Sequence, residues 1–469
     1  MTSISSMLRN PKFTRTVLPL VIYMVLTLLP TPEGLTPVGQ RAFALVVAGI
    51  LTFSMQPIDI AISVPLFVLL AVPAGIFSMG EAMSSFMGPA FIFVFAMVCL
   101  AIAFEKSGLT RRIALFIVSK SGGSPKRLLF LFIATAALCS SVLADIPVLV
   151  MLFPICLEII KKNDCNVRGS NFAQSLLLGI GSGCFLGGMA PPAGSAANPT
   201  SIQILEQATG LHISFMEWAA IGMPVLILLI PCIWLSFVIL MPSEIKQLKG
   251  MDHFEEDMKQ LGSISRKEKL FLIVFGLTLL LWFTDRVHGI STQVISMISV
   301  AVLSLPGIDV FNWRRDSADV NWDAIMLVGG ATSFGAMLTK TGVITWFAHE
   351  YLMSFSSLPL AMLFLCICVV MIISQFPIPA GAGAVATLAP AFLAVAEMGN
   401  FNPAGVIMVV ALSQAAPILS PAVCFYPIIN STGLLNITSA WKTGFFIAIA
   451  EIALILASML TVGSVLNFL

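Results

Sequence analysis

One carboxylate stands among apolar side chains in the run CSSVLADIPVLV: Asp145, flanked by Leu143, Ala144, Ile146 and Pro147. An acid in such surroundings is costly unless it faces a cavity, pairs with a cation or takes up a proton. Three roles are open to it: Na+ ligand, proton carrier, or hydrogen-bond acceptor that fixes its own turn. A second chemically useful stretch is GGMAPPAGSAANPT at 187–200, set between mostly apolar segments. If a helix breaks there inside hydrocarbon, the freed N–H and C=O groups must find partners in protein or in a water-filled cavity. Gly187, Gly188 and Gly194 let the backbone approach an ion closely, and Ser195 and Asn198 add a hydroxyl and an amide. Late in the chain, SQFPIPAGAGAVATLAP (374–390) carries Gly381, Ala382 and Gly383, and LSQAAPILSPAVCFYPIINSTG (412–433) carries Ser420, Ser431 and Thr432. None of these stretches holds Lys or Arg, so an anion there is held by N–H groups at half-helix N-termini, helped by those hydroxyls and amides. The plainer reading of the glycines is close helix packing.

The medium decides whether such groups can meet. Of 469 residues, 58% are hydrophobic and 10% charged, with mean hydropathy +1.00, which places the chain in a bilayer. Apolar runs suited to crossing a core of ~30 Å recur at 43–55, 86–104, 215–240, 270–283, 324–338 and 444–462, the shortest with help from polar neighbours. The run 17–29 leads into Pro30, Thr31 and Pro32 without a small-residue cleavage pattern, so it reads as a retained first span and not a signal peptide. Nine Cys without CxxC spacing read as small core residues, and four scattered His suggest no metal site. Nothing suggests nucleic-acid binding or a catalytic constellation, so the chain is not expected to be an enzyme or to bind nucleic acid.

Charge placement gives a topology. With a cytoplasmic N-terminus, 21 of the 24 Lys and Arg fall inside, leaving Arg41, Arg286 and Lys340 outside. This works only if Leu128–Ile160 and Ala361–Val395 each enter and leave on one side, as re-entrant hairpins of two short helices. The two halves then echo one another, each with a span, a polar turn, a hairpin and a broken segment, which points to a secondary transporter. Glu105, Glu217, Glu397 and Glu451 are placed near membrane boundaries. The expected fold is an all-α polytopic membrane protein with inverted repeats, about 11 transmembrane helices and two re-entrant hairpins, in an inner or plasma membrane. Its divisions are scaffold spans and an interfacial helix at 1–127, the first hairpin and broken helix at 128–212, central spans and a cytoplasmic linker at 213–355, the second hairpin and broken helix at 356–440, and a last span at 441–469.

Four stretches carry a resemblance across nearly the whole chain: PEGLTPVGQRAFALVVAGIL (32–51), SFMGPAFIFVFAMVCLAIAFEKSGLTRRIALFIV (85–118), LGSISRKEKLFLIVFGLTLLLWFTD (261–285) and VNWDAIMLVGGATSFGAMLTKTGV (320–343). In this order they resemble the divalent anion:sodium symporter family of dicarboxylate, citrate and sulfate carriers, above all its bacterial tricarboxylate/dicarboxylate and plastid 2-oxoglutarate/malate translocator branch. In that family each hairpin tip carries Ser-Asn-Thr ahead of a Pro, contacting Na+ and a substrate carboxylate. Counting back from Pro154 and Pro390 places Ala144, Asp145 and Ile146 at one tip, and Ala380, Gly381 and Ala382 at the other. The family pattern Gly-Gly-x-x-x-x-x-Gly-Thr-x-x-Asn is matched by Gly187, Gly188, Gly194, Ser195 and Asn198. In the second half Pro421 aligns with a family Pro, while Cys424 and Pro427 replace Thr and Asn.

The resemblance implies Na+-coupled uptake of a small di- or tricarboxylate, with H+ coupling, exchange or sulfate as alternatives. It implies an elevator-like motion of hairpins and broken helices against a fixed scaffold, and a homodimer. Substrate contacts are expected at Ser195, Asn198, Gly381, Ala382, Ser420, Pro421, Cys424, Ser431 and Thr432. Cation contacts are expected at Asp145, Gly187, Gly188, Gly194 and Asn198, with Asp145 and Asn198 the Na+ candidates among side chains. For the topology, a cysteine introduced between Met241 and Lys269 is expected to resist an impermeant thiol reagent in intact cells and to react once the membrane is opened. Labelling of intact cells overturns the orientation.

Overall fold

The computed structural model describes residues 11–143, 145–165, 169–249, 256, 260–376, 378, 381–415, 429–430 and 435–469. Their regular structure is helical. The first part comprises α1 (Pro11–Leu28), α2 (Pro37–Met55), α3 (Ile60–Leu70), α4 (Met79–Phe86), α5 (Pro89–Ser107) and α6 (Leu109–Lys120). It continues through α7 (Pro125–Leu143), α8 (Asp145–Lys162), α9 (Asn171–Gly187), α10 (Ala197–Thr209) and α11 (Phe215–Leu240). After a linker come α12 (Arg266–Phe283), α13 (Thr292–Leu303), α14 (Trp322–Lys340), α15 (Leu360–Ser374), α16 (Gly381–Gly399), α17 (Pro403–Leu412) and α18 (Ile437–Ser458). At least five of these segments are long and apolar enough to cross a membrane, including Phe215–Leu240 and Ile437–Gly463. The protein is a polytopic, all-α membrane protein.

Local chemistry sets where helices begin. Thr36 accepts a hydrogen bond from Gly39 N ahead of Pro37, which is suited to a first helical position because the first turn needs no N–H from it. Ser78 with Glu81, Ser214 with Glu217 and Ser265 with Glu268 form reciprocal capping boxes at the starts of α4, α11 and α12. Glu81 also hydrogen-bonds Lys340, which together with the Ser78 cap holds its carboxyl down at about 2.

Polar contacts gather the expected inside segments at one end of the bundle. Arg112 binds Glu268 at 2.8 Å and the carbonyls of Gly262 and Ser263, and Lys106 binds Asp319 at 2.7 Å. Leu248 N donates to Gly123 O, and the next residue, Lys249, donates to Asn163 Oδ1. Consecutive residues therefore tie the start of α7 to the end of α8, so α7 and α8 form a hairpin. Its arms are 19 and 18 residues, each ~28 Å long at 1.5 Å per residue, longer than the short helices expected from the sequence. At the other end Arg286 pairs with Glu217, Lys340 with Glu81, and Trp346 Nε1 donates to Glu33 O.

The order of elements repeats. α5, α6, the α7–α8 hairpin, α9 and α11 have counterparts in order in α14, the short helical turns of 343–357, the α15–α16 pair, α17 and α18, while α10 has none among the described residues. α10 packs on α16, and α11 packs on α18. Large apolar side chains remain exposed on outer faces, such as Ile227, Leu228, Leu235 and Ile239 of α11 and Ile273, Leu277 and Leu280 of α12. A continuous apolar exterior of this kind suits lipid. Trp218 and Trp282 are fully buried, while Trp313, Trp322 and Trp441 are exposed. The eight described cysteines are free thiols.

One placement is corrected. Glu451 is not near a boundary: it lies midway along the 27-residue span Ile437–Gly463, fully buried, with neither oxygen hydrogen-bonded. The helix starts at Ile437, seven residues before the apolar run at 444–462, and Glu451 stands more than three turns from either end of the span.

The backbones of α7 and α9 approach closely, and a Cβ on Gly187 would run into the Ala137 carbonyl oxygen. Gly187→Ala is expected to cost ~1–3 kcal/mol by overpacking. Gly276→Ala, with nothing within 4 Å of the added carbon, is expected to be neutral or slightly stabilising. Thermal unfolding in detergent checks both, and equal melting temperatures for the two variants would refute the packing role.

Candidate ion and substrate site

The helix does break at 188–196. α9 ends at Gly187, and α10 restarts at Ala197. Every residue from Gly187 to Gly194 is buried, so the carbonyls of the break need internal partners. Asn198 supplies two of these contacts: its Nδ2 donates at 2.8 Å to Gly188 O and at 2.8 Å to Pro191 O. Trp218 Nε1 of α11 donates to Met189 O at 3.1 Å, and Ser140 of α7 donates to Cys184 O one turn earlier. Gly194 crosses against Gly188, where a Cβ would lie 2.7 Å from the Gly188 carbonyl. Three helices thus hold the break in one shape.

That shape opens a cavity of about 260 Å3 between the break, the hairpin tip and α5. Ala193, Ser195 and Ala196 line it from the break, and Asp145, Ile146 and Pro147 from the tip. Phe93, Val94, Met97, Val98 and Ile102 form the opposite wall, and Glu105, Asp319 and Asn321 stand at its end. Asp145 occupies the first turn of α8, where its Oδ1 accepts from Ile146 N at 2.8 Å. A carboxylate there is favoured by the partial positive charge of the helix start. α10 begins in the same cavity, with Ala196 in the cap position and no side-chain cap bond. Its first N–H, on Ala197, is held only by Ser195 Oγ at 3.4 Å. The cavity therefore joins an acid, a hydroxyl and an uncapped helix start, and no Lys or Arg lines it among the described residues.

The expected residues divide into groups. Asp145 and Ser195 meet in the cavity. Gly187, Gly188, Gly194 and Asn198 do not line it; they lie behind it and shape the break, with Asn198 Oδ1 buried and unpartnered. Gly381 packs against Gln414 Oε1 and Ala197, so the start of α16 meets the start of α10, and Ala382 is buried beside it. Ala144, Ala380, Ser420, Pro421, Cys424, Pro427, Ser431 and Thr432 lie outside the described residues. Sequence reasoning missed Gln414, and it also missed the α5 wall and Asp319 with Asn321. Gln414 stands in the quoted LSQAAP stretch, where an amide beside a break was the available signal.

Residues 10–469 match the family described as the sodium:sulfate symporter transmembrane region. The chain belongs to this family. It is a carrier of small anions by membership, and not an enzyme. It is similar to the sodium-dependent dicarboxylate transporter SdcS of Staphylococcus saprophyticus, 25% identical over 467 residues that cover 93% of this chain and 88% of that one. A protein of Cupriavidus necator described as a membrane protein is 22% identical over 423 residues, covering 85% and 82%. Among solved structures, the Alcanivorax borkumensis YdaH transporter has the same fold, with a TM-score of 0.57 at 15% identity over 97% of this chain and 99% of that one. The Neisseria gonorrhoeae MtrF structure gives 0.55 at 14% identity, covering 96% and 95%.

Asn198 gives a direct test of how the break is held. Asn198→Asp keeps the shape but loses both donors, leaving the Gly188 and Pro191 carbonyls without those partners, at an expected cost of ~1–3 kcal/mol. Ser195→Ala, at the half-buried cavity wall, is expected to leave the melting temperature nearly unchanged. A native melting temperature for Asn198→Asp rules out the assigned role.

Proposed function

We propose that the protein is a secondary carrier of small di- or tricarboxylates coupled to Na+, with the cation beside Asp145 and a substrate carboxylate at the start of α10. The observation that carries this reading is the shared cavity: an acid, Ser195 and an uncapped helix N-terminus open into one space. The partial positive charge of a helix start suits an anion, and a neighbouring acid suits a cation. Coupling follows from electrostatics. Asp145 repels an anion a few ångströms away unless a positive charge lies between them, so the two solutes bind better together than apart. The staphylococcal relative, a sodium-dependent dicarboxylate transporter, supports this pairing.

The wider reading has 11 spans, a cytoplasmic N-terminus and two inverted repeats. The α7–α8 and α15–α16 pairs are re-entrant, and 128–212 with 356–440 form a moving unit of an elevator in a homodimer. The repeated order of elements and the gathering of Lys106, Arg112 and Lys249 contacts at one end support it. Proton coupling is the second reading, favoured by the lack of a basic residue in the cavity lining beside Asp145.

Uptake of succinate, malate or citrate into proteoliposomes, driven separately by a Na+ gradient and a pH gradient, tests the proposal in the native chain and in Asp145→Asn. The expected result is Na+-driven uptake by the native chain and a weaker Na+ dependence in the variant. A pH-driven component lost in Asp145→Asn establishes the proton reading instead. Equal uptake by both proteins under every gradient assigns Asp145 to hairpin structure, and no uptake of or competition by any organic carboxylate removes the substrate choice.

A further inference from the structure

A second cavity, of about 300 Å3, lies at the other end of α5. Pro89, Ala90 and Phe93 line it from α5, Pro192 and Gln203 from the break and α10, and Arg286 and Gln293 from the segment around the start of α13. The two cavities meet the same structure from opposite directions. Pro192 faces one and Ala193 the other, and Phe93 is the single residue that lines both. From Pro89 to Glu105 the α5 wall runs ~24 Å at 1.5 Å per residue, most of a hydrocarbon core of ~30 Å. A route along this wall is thus lined at both ends and closed about one turn in from Pro89 by one side-chain layer.

We propose that the second cavity is the opposite-side vestibule of the transport path and that Phe93 is the partition between the two vestibules. This rests on the transport reading above. Phe93 is 2% exposed, and its ring packs on Trp282 with centroids 5.9 Å apart; Trp282, itself fully buried, packs on Phe215 at 5.3 Å. The partition is therefore backed by aromatic rings of α11 and α12 and cannot swing aside without disturbing them. Across the path Gln203 of α10 accepts from Ala90 N at 3.0 Å through Oε1, while its Nε2 is buried and unpartnered. This bond closes α10 onto the start of α5 at the vestibule side of Phe93, and solute passage along α5 requires it to open.

The test uses Gln293→Cys in the second cavity and Val98→Cys in the first, each in the full chain in membrane vesicles of both orientations. A small, impermeant cationic thiosulfonate is the probe, and the native chain's own cysteines set the background. Each position is expected to react from one membrane face only, the two from opposite faces. Adding Phe93→Ala should raise reaction from the wrong face from background to the level seen at the correct face. Phe93→Leu, which keeps most of the apolar volume, should give a smaller rise, and Phe93→Trp should keep the sidedness. Sidedness unchanged in both folded Phe93→Ala and Phe93→Leu overturns the partition, and so does reaction of both cysteines from the same face in the native background. The readout needs no transported solute, so failure of carboxylate uptake with sidedness intact tells against the substrate alone.

Discussion

An interrupted helix inside an apolar bundle has to satisfy its own backbone, and the rest of this structure depends on how that is done. The carbonyls of Gly188, Met189 and Pro191 are met by Asn198 and Trp218, and Ser140 adds a bond to the Cys184 carbonyl near the end of α9, so donors come from three different helices. The glycines at 187 and 194 allow the close crossings that bring those donors within reach. Because the break is held from behind, its other side is left free. Ser195 and the start of α10 consequently line the cavity at the hairpin tip, with only the 3.4 Å bond between Ala197 N and Ser195 Oγ engaging that hydroxyl.

Charge is arranged on the same principle. Ion pairs lie at the two ends of the bundle, where water lowers the cost of holding them: Lys106 with Asp319 and Arg112 with Glu268 at one end, Arg286 with Glu217 and Lys340 with Glu81 at the other. His212, in the loop between α10 and α11 at the second end, is raised by its hydrogen bond to Glu206. No basic side chain lines the central cavity among the described residues, so recognition of an anion there falls to helix dipoles and hydrogen bonds. Dipoles bind without carrying a compensating charge, which leaves Asp145 to set the sign of the site. That imbalance is what makes a co-bound cation physically useful.

Much of this was legible in the sequence because membrane solvation is a strong constraint. Hydropathy located long apolar helices such as those at 86–104, 215–240 and 444–462, and charge bias grouped loops that the ion pairs and backbone contacts bring together. The break at 187–200 was readable because Gly and Pro in an apolar setting have few explanations, and Asp145 because an acid there has few as well. What escaped was side-chain direction. Asn198 looks like a ligand by type, yet its amide is turned to the break and fastens it. Glu451 was expected to reach water, whereas it is fully buried midway along the span Ile437–Gly463, and burial by neighbouring helices decides this where hydropathy does not. The α5 wall was invisible for the opposite reason: Phe93, Val94, Met97, Val98 and Ile102 are ordinary span residues until a neighbour's break gives their face a cavity.

That wall bears on which anion fits. The fold persists at 14–15% identity to YdaH and MtrF, and a fold so widely shared does not select a substrate. Selection must come from the lining. One side of the cavity is polar, with Asp145, Ser195 and the start of α10, and the other is an apolar face of α5. A tetrahedral oxyanion presents oxygen in every direction, so its far side would meet Val94, Met97 and Val98 and lose water without gaining a hydrogen bond. A short dicarboxylate separates its charged ends by a hydrocarbon segment, which can lie on that wall at little cost while one carboxylate reaches α10. The second carboxylate then needs donors of its own, and the nearest side chains at the cavity's end, Glu105 and Asp319, are acids. Lys106, already bonded to Asp319, is the cation close enough to offset them, so the end of the cavity at Glu105 tolerates a passing anion more readily than it holds one. On the proposed reading of the site, an anion is retained at the hairpin tip and released past Asp319.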